Sequence, residues 1–256
     1  MKRLIALLLA FMLLLCGCAG APANSDDVKQ NSDADIDAAV DENARPDFGP
    51  DDKLIALSFD DGPSLGSTNA LLDYFEEMDI VGTFFVIGNN INDETAEVMK
   101  RAIELNCEIG NHSQSHQQMG NMTPETLEQE IGYVQDKVFE YTGVTPVLFR
   151  PPFLNVSKTM HDTIPLTFIF GRDSLDWTDI SAEERAENIM NHADDGVIIL
   201  MHDGWDNYKT VEAVKIVVPQ LIEQGYRFVT ISELFEAKGT TPEANSGVIY
   251  STATGK

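Results

Sequence analysis

Two adjacent carboxylates, Asp60 and Asp61, stand in Ser58-Phe59-Asp60-Asp61-Gly62-Pro63, directly after an apolar run. Along a regular strand neighbouring side chains point to opposite faces, and Gly62-Pro63 must end the strand there. At a strand tip the two aspartates can diverge and do different jobs in one pocket, although the same residues would also suit a solvated Asp-Gly turn. Further along, His112-Ser113-Gln114-Ser115-His116 sets two imidazoles four residues apart, using two of the chain's five histidines. On a helix that spacing puts both rings on one face, and a tight loop can equally converge them on a metal. A zinc-like ion requires a third ligand, which an aspartate at another strand tip can supply. His202, in Leu200-Met201-His202-Asp203-Gly204, again sits at the end of a strongly apolar run.

Such tips meet only if the fold delivers them to one face. From Lys53 onward, short apolar runs alternate with amphipathic segments, the signature of successive β-α units around a parallel sheet. Strands are expected over residues 54–59, 82–87, 108–110, 147–149, 166–170, 197–201 and 227–229. Leu71, Leu72, Phe75 and Met78 fit one helical face, as do Leu127, Ile131, Val134 and Val138. Thr123-Pro124 supplies an N-cap followed by proline at the first helical position, while Ser181 to Glu184 and Thr230 to Glu233 read as capping boxes. Seven repeats favour an α/β fold closed as a (β/α) barrel of about seven strands over an open sheet. A parallel barrel presents all its carboxyl ends at the face where barrel active sites lie, so His202 would share a pocket with Asp60, Asp61, His112 and His116.

Phe149-Arg150-Pro151-Pro152-Phe153 and Asp173-Ser174-Leu175-Asp176-Trp177 follow the fourth and fifth runs. The double proline stiffens its loop and leaves Phe153 with the first free backbone N–H after Arg150. His161 and His192 fall in helical patterns away from strand tips and read as surface or packing residues. Cys107 precedes Glu108-Ile109-Gly110 and suits buried packing better than chemistry.

These stretches resemble the polysaccharide deacetylases of carbohydrate esterase family 4, the NodB-homology domain. All five of that family's motifs are matched in order over roughly Lys53 to Glu236. Leu57 to Pro63, Thr83 to Gly88, Ile109 to Ser113 and Leu200 to Gly204 are near-literal. The resemblance implies a distorted, NodB-like (β/α) barrel and one divalent metal, usually Zn2+ with Co2+ or another divalent ion accepted, held by Asp61, His112 and His116. By the same resemblance Asp60 is the general base, oriented by Arg150, and His202 the general acid, paired with Asp176. Trp177 and Leu200 would line the pocket for the acetyl methyl, and the Phe153 backbone N–H would help stabilise the tetrahedral oxyanion. Three protein ligands leave a metal positions for water and carbonyl, lowering the water pKa toward about 7. An amide nitrogen leaves poorly until protonated, so a separate acid is needed, and a carboxylate beside His202 would keep it charged.

Two departures stand out: Phe153 replaces the tyrosine most common after the prolines, and Leu154 stands where glycine frequently follows. Neither removes a catalytic group, so altered substrate preference is expected rather than loss of activity. The implied reaction is removal of acetyl groups from N-acetylated sugars of a cell-envelope polysaccharide such as peptidoglycan or a chitooligosaccharide. Alternatives are a deacetylase of O-acetylated glycans, a sugar-binding lipoprotein that has lost catalysis, and a hydrolase of small amides or imides. The intact acid, base and ligand set speaks against the second, since binding alone needs no such set. Trp205, just beyond His202-Asp203-Gly204, is either a sugar-stacking platform at the rim or a loop anchor.

Bulk properties agree with that setting. The 256 residues, 43% hydrophobic, suffice for one core. A formal charge of -25 disfavours nucleic acid and anionic membrane surfaces, whose binding draws on Lys and Arg. A monomer is expected. Lys2-Arg3, an apolar run over residues 4–15 and Cys16-Gly17-Cys18 read as an export signal, residues 1–18, ending in a lipobox. The run is shorter than the roughly 20 residues that span a bilayer. Cys18 is the better lipid acceptor, because Cys16 would have Leu15 where a small residue is the rule. Residues 19–52 then form an acidic tether too poor in large apolar groups to order, 53–237 the catalytic domain and 238–256 a loose tail. The protein is therefore expected outside the cell, lipid-anchored to the outer face of the bacterial membrane. Mass spectrometry of protein from a lipoprotein-processing bacterium should find a diacylglyceryl-sized addition on Cys18; an unmodified soluble chain would exclude the anchor.

Overall fold

The computed structural model describes Arg45 and residues 47–253. The expected signal, Cys18 and nearly all of the tether lie outside the described residues. Among the described residues no helix is long and apolar enough to cross a membrane.

The chain runs β1 (Leu54–Gly62), α1 (Ser67–Met78), β2 (Thr83–Val86), α2 (Asp93–Glu104), β3 (Glu108–Asn111) and α3 (Pro124–Thr142). It continues through β4 (Leu148–Phe149), α4 (Lys158–Thr163), β5 (Thr167–Ile169), β6 (Arg172–Asp173) and α5 (Ala182–His192). Last come β7 (Val197–His202), α6 (Tyr208–Glu223), β8 (Arg227–Phe228), α7 (Ile231–Ala237) and β9 (Ile249–Tyr250). The sheet order is β6-β7-β1-β2-β3-β4-β5-β9, with β8 also paired to β1, and the pairings between these strands are parallel. All seven expected strands are present in one curled sheet flanked by helices, as the expected distorted barrel requires.

Both faces of β1 are buried, and alternation divides its residues between two layers. Ile55, Leu57 and Phe59 join the large cluster with Leu71, Phe75 and Val214 of the helices, whereas Leu54 and Ala56 pack with Phe85, Ile198 and Val229. Ser58 and Asp60 continue that second face toward the carboxyl end. The helix starts follow their caps: Thr123 accepts from Thr126 N, and Ser181 and Thr230 each close a capping box.

The ends of the domain differ from expectation. Phe48, within the expected tether, packs on the core under the Arg227 guanidinium, 4.4 Å from the ring centroid, so the compact unit takes in residues before Lys53. The segment after Lys238, expected to be loose, carries β9. Phe170 N donates to Tyr250 O at 2.8 Å, Ile198 N to Ser251 O at 3.1 Å, and Ala253 N to Gly196 O at 2.7 Å. Residues 249–253 therefore bridge β5 to the start of β7, across the gap that an open sheet would leave. Period-2 patterning cannot reveal a two-residue strand. Tyr250 is buried against Phe235, ring centroids 5.1 Å apart. Tyr250→Ala should lower stability by about 3 kcal/mol, the usual cost of truncating a buried aromatic, seen as a shifted urea midpoint at unchanged slope. No shift would mean that the segment does not hold the barrel.

Candidate active site

The parallel sheet brings the expected tips together. On β1, Asp60 lies in register with His202 on β7. The register with β2 shifts between Asp60 and Gly62, and Asp61 adopts left-handed backbone, φ 75. Such an irregularity re-aims a side chain, so both adjacent aspartates line one cleft, which strict alternation would forbid.

Arg150, directly after β4, is wholly buried, with Nη1 donating to Asp60 Oδ1 at 2.7 Å and Nη2 to Ser58 Oγ at 2.8 Å. Its guanidinium lies 4.2 Å from the centroid of the Phe85 ring. The Arg150 carbonyl accepts from His112 Nδ1 at 2.6 Å. With the proton held at Nδ1, His112 presents a lone pair at Nε2.

His112 and His116 sit in a tight loop, not on a helix. Ser113 and His116 have left-handed backbone, and His116 N donates to Ser113 Oγ. Glu130 of α3 accepts from Ser115 N at 2.8 Å and Ser115 Oγ at 2.7 Å, tying the loop down. Asp61 Oδ1 lies 3.4 Å from His112 Nε2 and 3.2 Å from His116 Nε2. One ligand atom from each of the three residues falls within 4.8 Å of the others. Asp61 Oδ1 is buried without a hydrogen bond, a costly condition for a carboxylate that a cation would relieve. Burial favours the neutral Asp61 acid, but the facing His112 ring, with His202 and His116, holds the carboxyl below its ordinary value. Burial, reinforced by His112, lowers the His116 pKa and favours the neutral imidazole that ligation needs. The donor set suits a divalent cation of the zinc type.

Across the cleft, Asp176 Oδ1 is 2.7 Å from His202 Nδ1, and Asp176 Oδ2 accepts from His202 N at 2.8 Å and from Thr210 Oγ1 at 2.6 Å. Burial opposes charge on His202, but Asp176, with Asp60 and Asp61 behind it, raises the pKa to about 9. Because this value exceeds the ordinary 6.5, the pair's stabilisation is complete below pH 6.5 and lost as pH rises through about 9. His202 is thus an imidazolium at neutral pH, with Nε2 free to face the cleft.

The cleft, about 820 Å³, is also lined by Phe153, Trp177 and Leu200. Leu200 is buried, Trp177 exposed, and the exposed Phe153 ring tilts against His116 at 4.8 Å. Phe153 and Leu154 both take left-handed backbone after the prolines. His161 packs on Phe168 at 4.2 Å, His192 is exposed and Cys107 is buried. Sequence reasoning missed several supports. Ser58 and Thr210 carry no signal beyond a polar residue in an apolar pattern, and Asp173 and Asp203 were visible in the motifs without a task. Asp203 is buried, donates its N–H to Asp60 O at 2.9 Å and accepts from Thr68 Oγ1 at 2.5 Å. Burial pushes its carboxyl up to about 7, Thr68 opposing and Asp61 and Asp60 adding to the rise.

A parallel barrel whose carboxyl face joins a three-donor cluster to a held carboxylate and a held imidazolium has the design of metal-assisted hydrolases. Comparison with known proteins narrows the class. The family described as polysaccharide deacetylase matches residues 48–165. The chain is 41% identical over 191 residues to the bifunctional xylanase/deacetylase of Pseudobutyrivibrio xylanivorans, an alignment covering 74% of this chain and 32% of that protein. It is 36% identical over 194 residues to a peptidoglycan-N-acetylglucosamine deacetylase of Bacillus cereus, covering 73% of this chain and 90% of that one. A family 4 acetyl xylan esterase structure from Clostridium thermocellum, in complex with a cobalt ion, matches with a TM-score of 0.76 at 39% identity, covering 78% of this chain and 98% of that one. The chain belongs to the polysaccharide deacetylase family. It spans about a third of the length of the xylanase/deacetylase.

The cluster can be tested directly. His116→Ala should lose bound metal, measured by elemental analysis after dialysis against buffered zinc, while its circular dichroism stays unchanged. Full occupancy in that variant would remove His116 from the ligand set.

Proposed function

We propose that this chain hydrolyses acetyl groups from the sugars of a polysaccharide, using a divalent cation, zinc by preference, held by Asp61, His112 and His116. One geometric observation carries the reading: Asp60, fixed by Arg150, faces His202, fixed by Asp176, in register across β1 and β7 beside the three-donor cluster. A cation bound there supplies a Lewis acid for the acetyl carbonyl and acidifies the attacking water.

The chain's own residues supply the rest. Arg150 occupies Asp60 Oδ1, leaving Oδ2, 3.7 Å from His112 Nε2, to accept the proton of the attacking water. As the water oxygen adds to the carbonyl carbon, the Phe153 N–H donates to the developing oxyanion. His202, kept protonated by Asp176, gives its Nε2 proton to the departing sugar nitrogen as the C–N bond breaks and acetate is released. Leu200 and Trp177 seat the acetyl methyl.

The favoured substrate is an N-acetylated sugar of a cell-envelope polymer. The name of the Bacillus cereus relative supports this, as do the export signal and lipid anchor expected at Cys18, which would hold a monomeric enzyme on the outer face of the bacterial cell membrane. A second reading, an O-acetylated glycan such as xylan, draws on the higher identity to the xylanase/deacetylase and the acetyl xylan esterase. Acetate release from peptidoglycan, chitooligosaccharides and acetylated xylan, with zinc present, separates the two.

Asp60→Asn should keep the metal and lose about 10² to 10⁴-fold in deacetylation, the worth of a positioned acid or base. His202→Ala should lose comparably on an N-acetyl sugar yet retain relatively more activity on an aryl acetate, whose phenolate departs without a proton. Equal losses on both substrates would assign His202 to substrate positioning instead.

A further inference from the structure

One aromatic residue outside the reacting centre stands where the cleft meets solvent. Trp205 is 81% exposed and lines the cleft. It has left-handed backbone, φ 48, and Asp206 follows at φ 53. Bulky residues seldom adopt that conformation, and an indole in water gains no burial to offset it. The surroundings nevertheless hold the loop on this course. A Cβ on Gly204 would stand 2.6 Å from Asp61 Cβ, so the loop's base lies directly against the β1 tip. Asp206 and Tyr208 fill the space that a Cβ on Gly66 would need. Asn207 donates to His202 O at 3.1 Å and accepts from Arg185 Nη1 at 2.6 Å. The loop is a fixed mount, and it carries an apolar plate.

The rest of the rim indicates what the plate meets. Trp177, 64% exposed, lines the same cleft with its indole N–H held by Asp173 at 3.2 Å. Phe153 adds a third ring, 61% exposed. The cleft's volume of about 820 Å³ lies high in the range of about 300–1,000 Å³ that drug-sized ligands fill, more than one acetylated sugar needs. Its cations are already engaged: Lys209 pairs with Asp179 at 2.9 Å, and Arg185 binds Asn207 and Thr210. Asp173 and Asp206 add negative charge to the lining of a chain that carries -25 overall. Aromatic plates within an acidic rim suit the C–H face of an uncharged pyranose and repel an anionic one.

We infer that Trp205 is a specificity-determining residue, the platform of a subsite for an uncharged pyranose beside the acetylated one. This rests on the deacetylase reading above and adds to it the length and charge of the substrate.

The test compares acetylated mono-, di- and longer chito- or xylo-oligosaccharides with p-nitrophenyl acetate, which reaches only the reacting centre. Trp205→Ala should lower kcat/KM on the longer oligomers by about ten-fold, the upper end of an aromatic contact's worth, and should do so through KM. The loss on the monosaccharide and on p-nitrophenyl acetate should be several-fold smaller, and Trp205→Phe should restore most of the oligomer activity. No loss on any oligomer, or equal losses on oligomers and aryl acetate, would overturn the platform. A wild-type protein that releases no acetate from any of these would instead sink the deacetylase reading. Calorimetric titration of unacetylated oligomers then decides the platform alone: weaker binding by Trp205→Ala supports it, and equal affinity overturns it. A carboxylated oligomer that binds more tightly than its uncharged counterpart would overturn the charge assignment.

Discussion

A single buried ion pair, Arg150 with Asp60, ties the site to the fold. Neither side chain reaches solvent appreciably, and taking two charges out of water costs several kcal/mol per ion unless geometry and further hydrogen bonds compensate. Here the compensation involves the whole neighbourhood. Ser58 and Asp60 on β1 receive the guanidinium, Phe85 on β2 lies over it, and the Arg150 main chain bonds Asn111 O and receives His112 Nδ1. One residue thus couples β1, β2, β3 and β4 at their carboxyl ends. It also sets the orientation of the proposed base and the tautomer of a proposed ligand. Removing it would leave Asp60 as an uncompensated buried charge, so the site and this part of the barrel stand or fall together.

That constraint sits within a crowd of carboxylates. Asp60, Asp61, Asp176 and Asp203 are all buried at one face of the barrel, and each is managed differently. Arg150 neutralises Asp60, the histidine pair faces Asp61, and His202⁺ balances Asp176. Among the described residues no cation pairs with Asp203, and burial carries its carboxyl toward the neutral acid. The like charges pack closely because each faces its own partner or, at Asp203, is driven toward the neutral acid, and the raised pKa of His202 keeps a proton donor beside these carboxylates.

The outer part of the cleft follows other rules. Phe153, Trp177 and Trp205 leave apolar area in water, and two of them stand on left-handed backbone. Their loops are nevertheless pinned, by the double proline at Phe153, by Asp173 at Trp177 and by Asn207 near Trp205. In the proposed reading, aromatic groups around a charged centre separate the recognition of a sugar chain from the chemistry on its acetyl group.

Much of this protein was legible in its sequence. Alternating apolar runs and capping signals located seven strands and the starts of α3, α5 and α7, because burial and capping act over a few residues and leave a local pattern. The residues singled out for chemistry lay at or just beyond the ends of those runs, and parallel pairing carries those ends, with Asp60, Asp61, His112, His116, Asp176 and His202, to one side of the sheet. What required the tertiary structure was everything set by contacts distant in sequence. The left-handed turn at Asp61 accompanies the shift in the β1–β2 register, the tight histidine loop depends on Glu130, and the barrel's bridge on residues 249–253, whose partners lie about 80 and 55 residues earlier. Such features have no periodicity of their own, since each is stabilised by a partner that only the folded chain brings within reach.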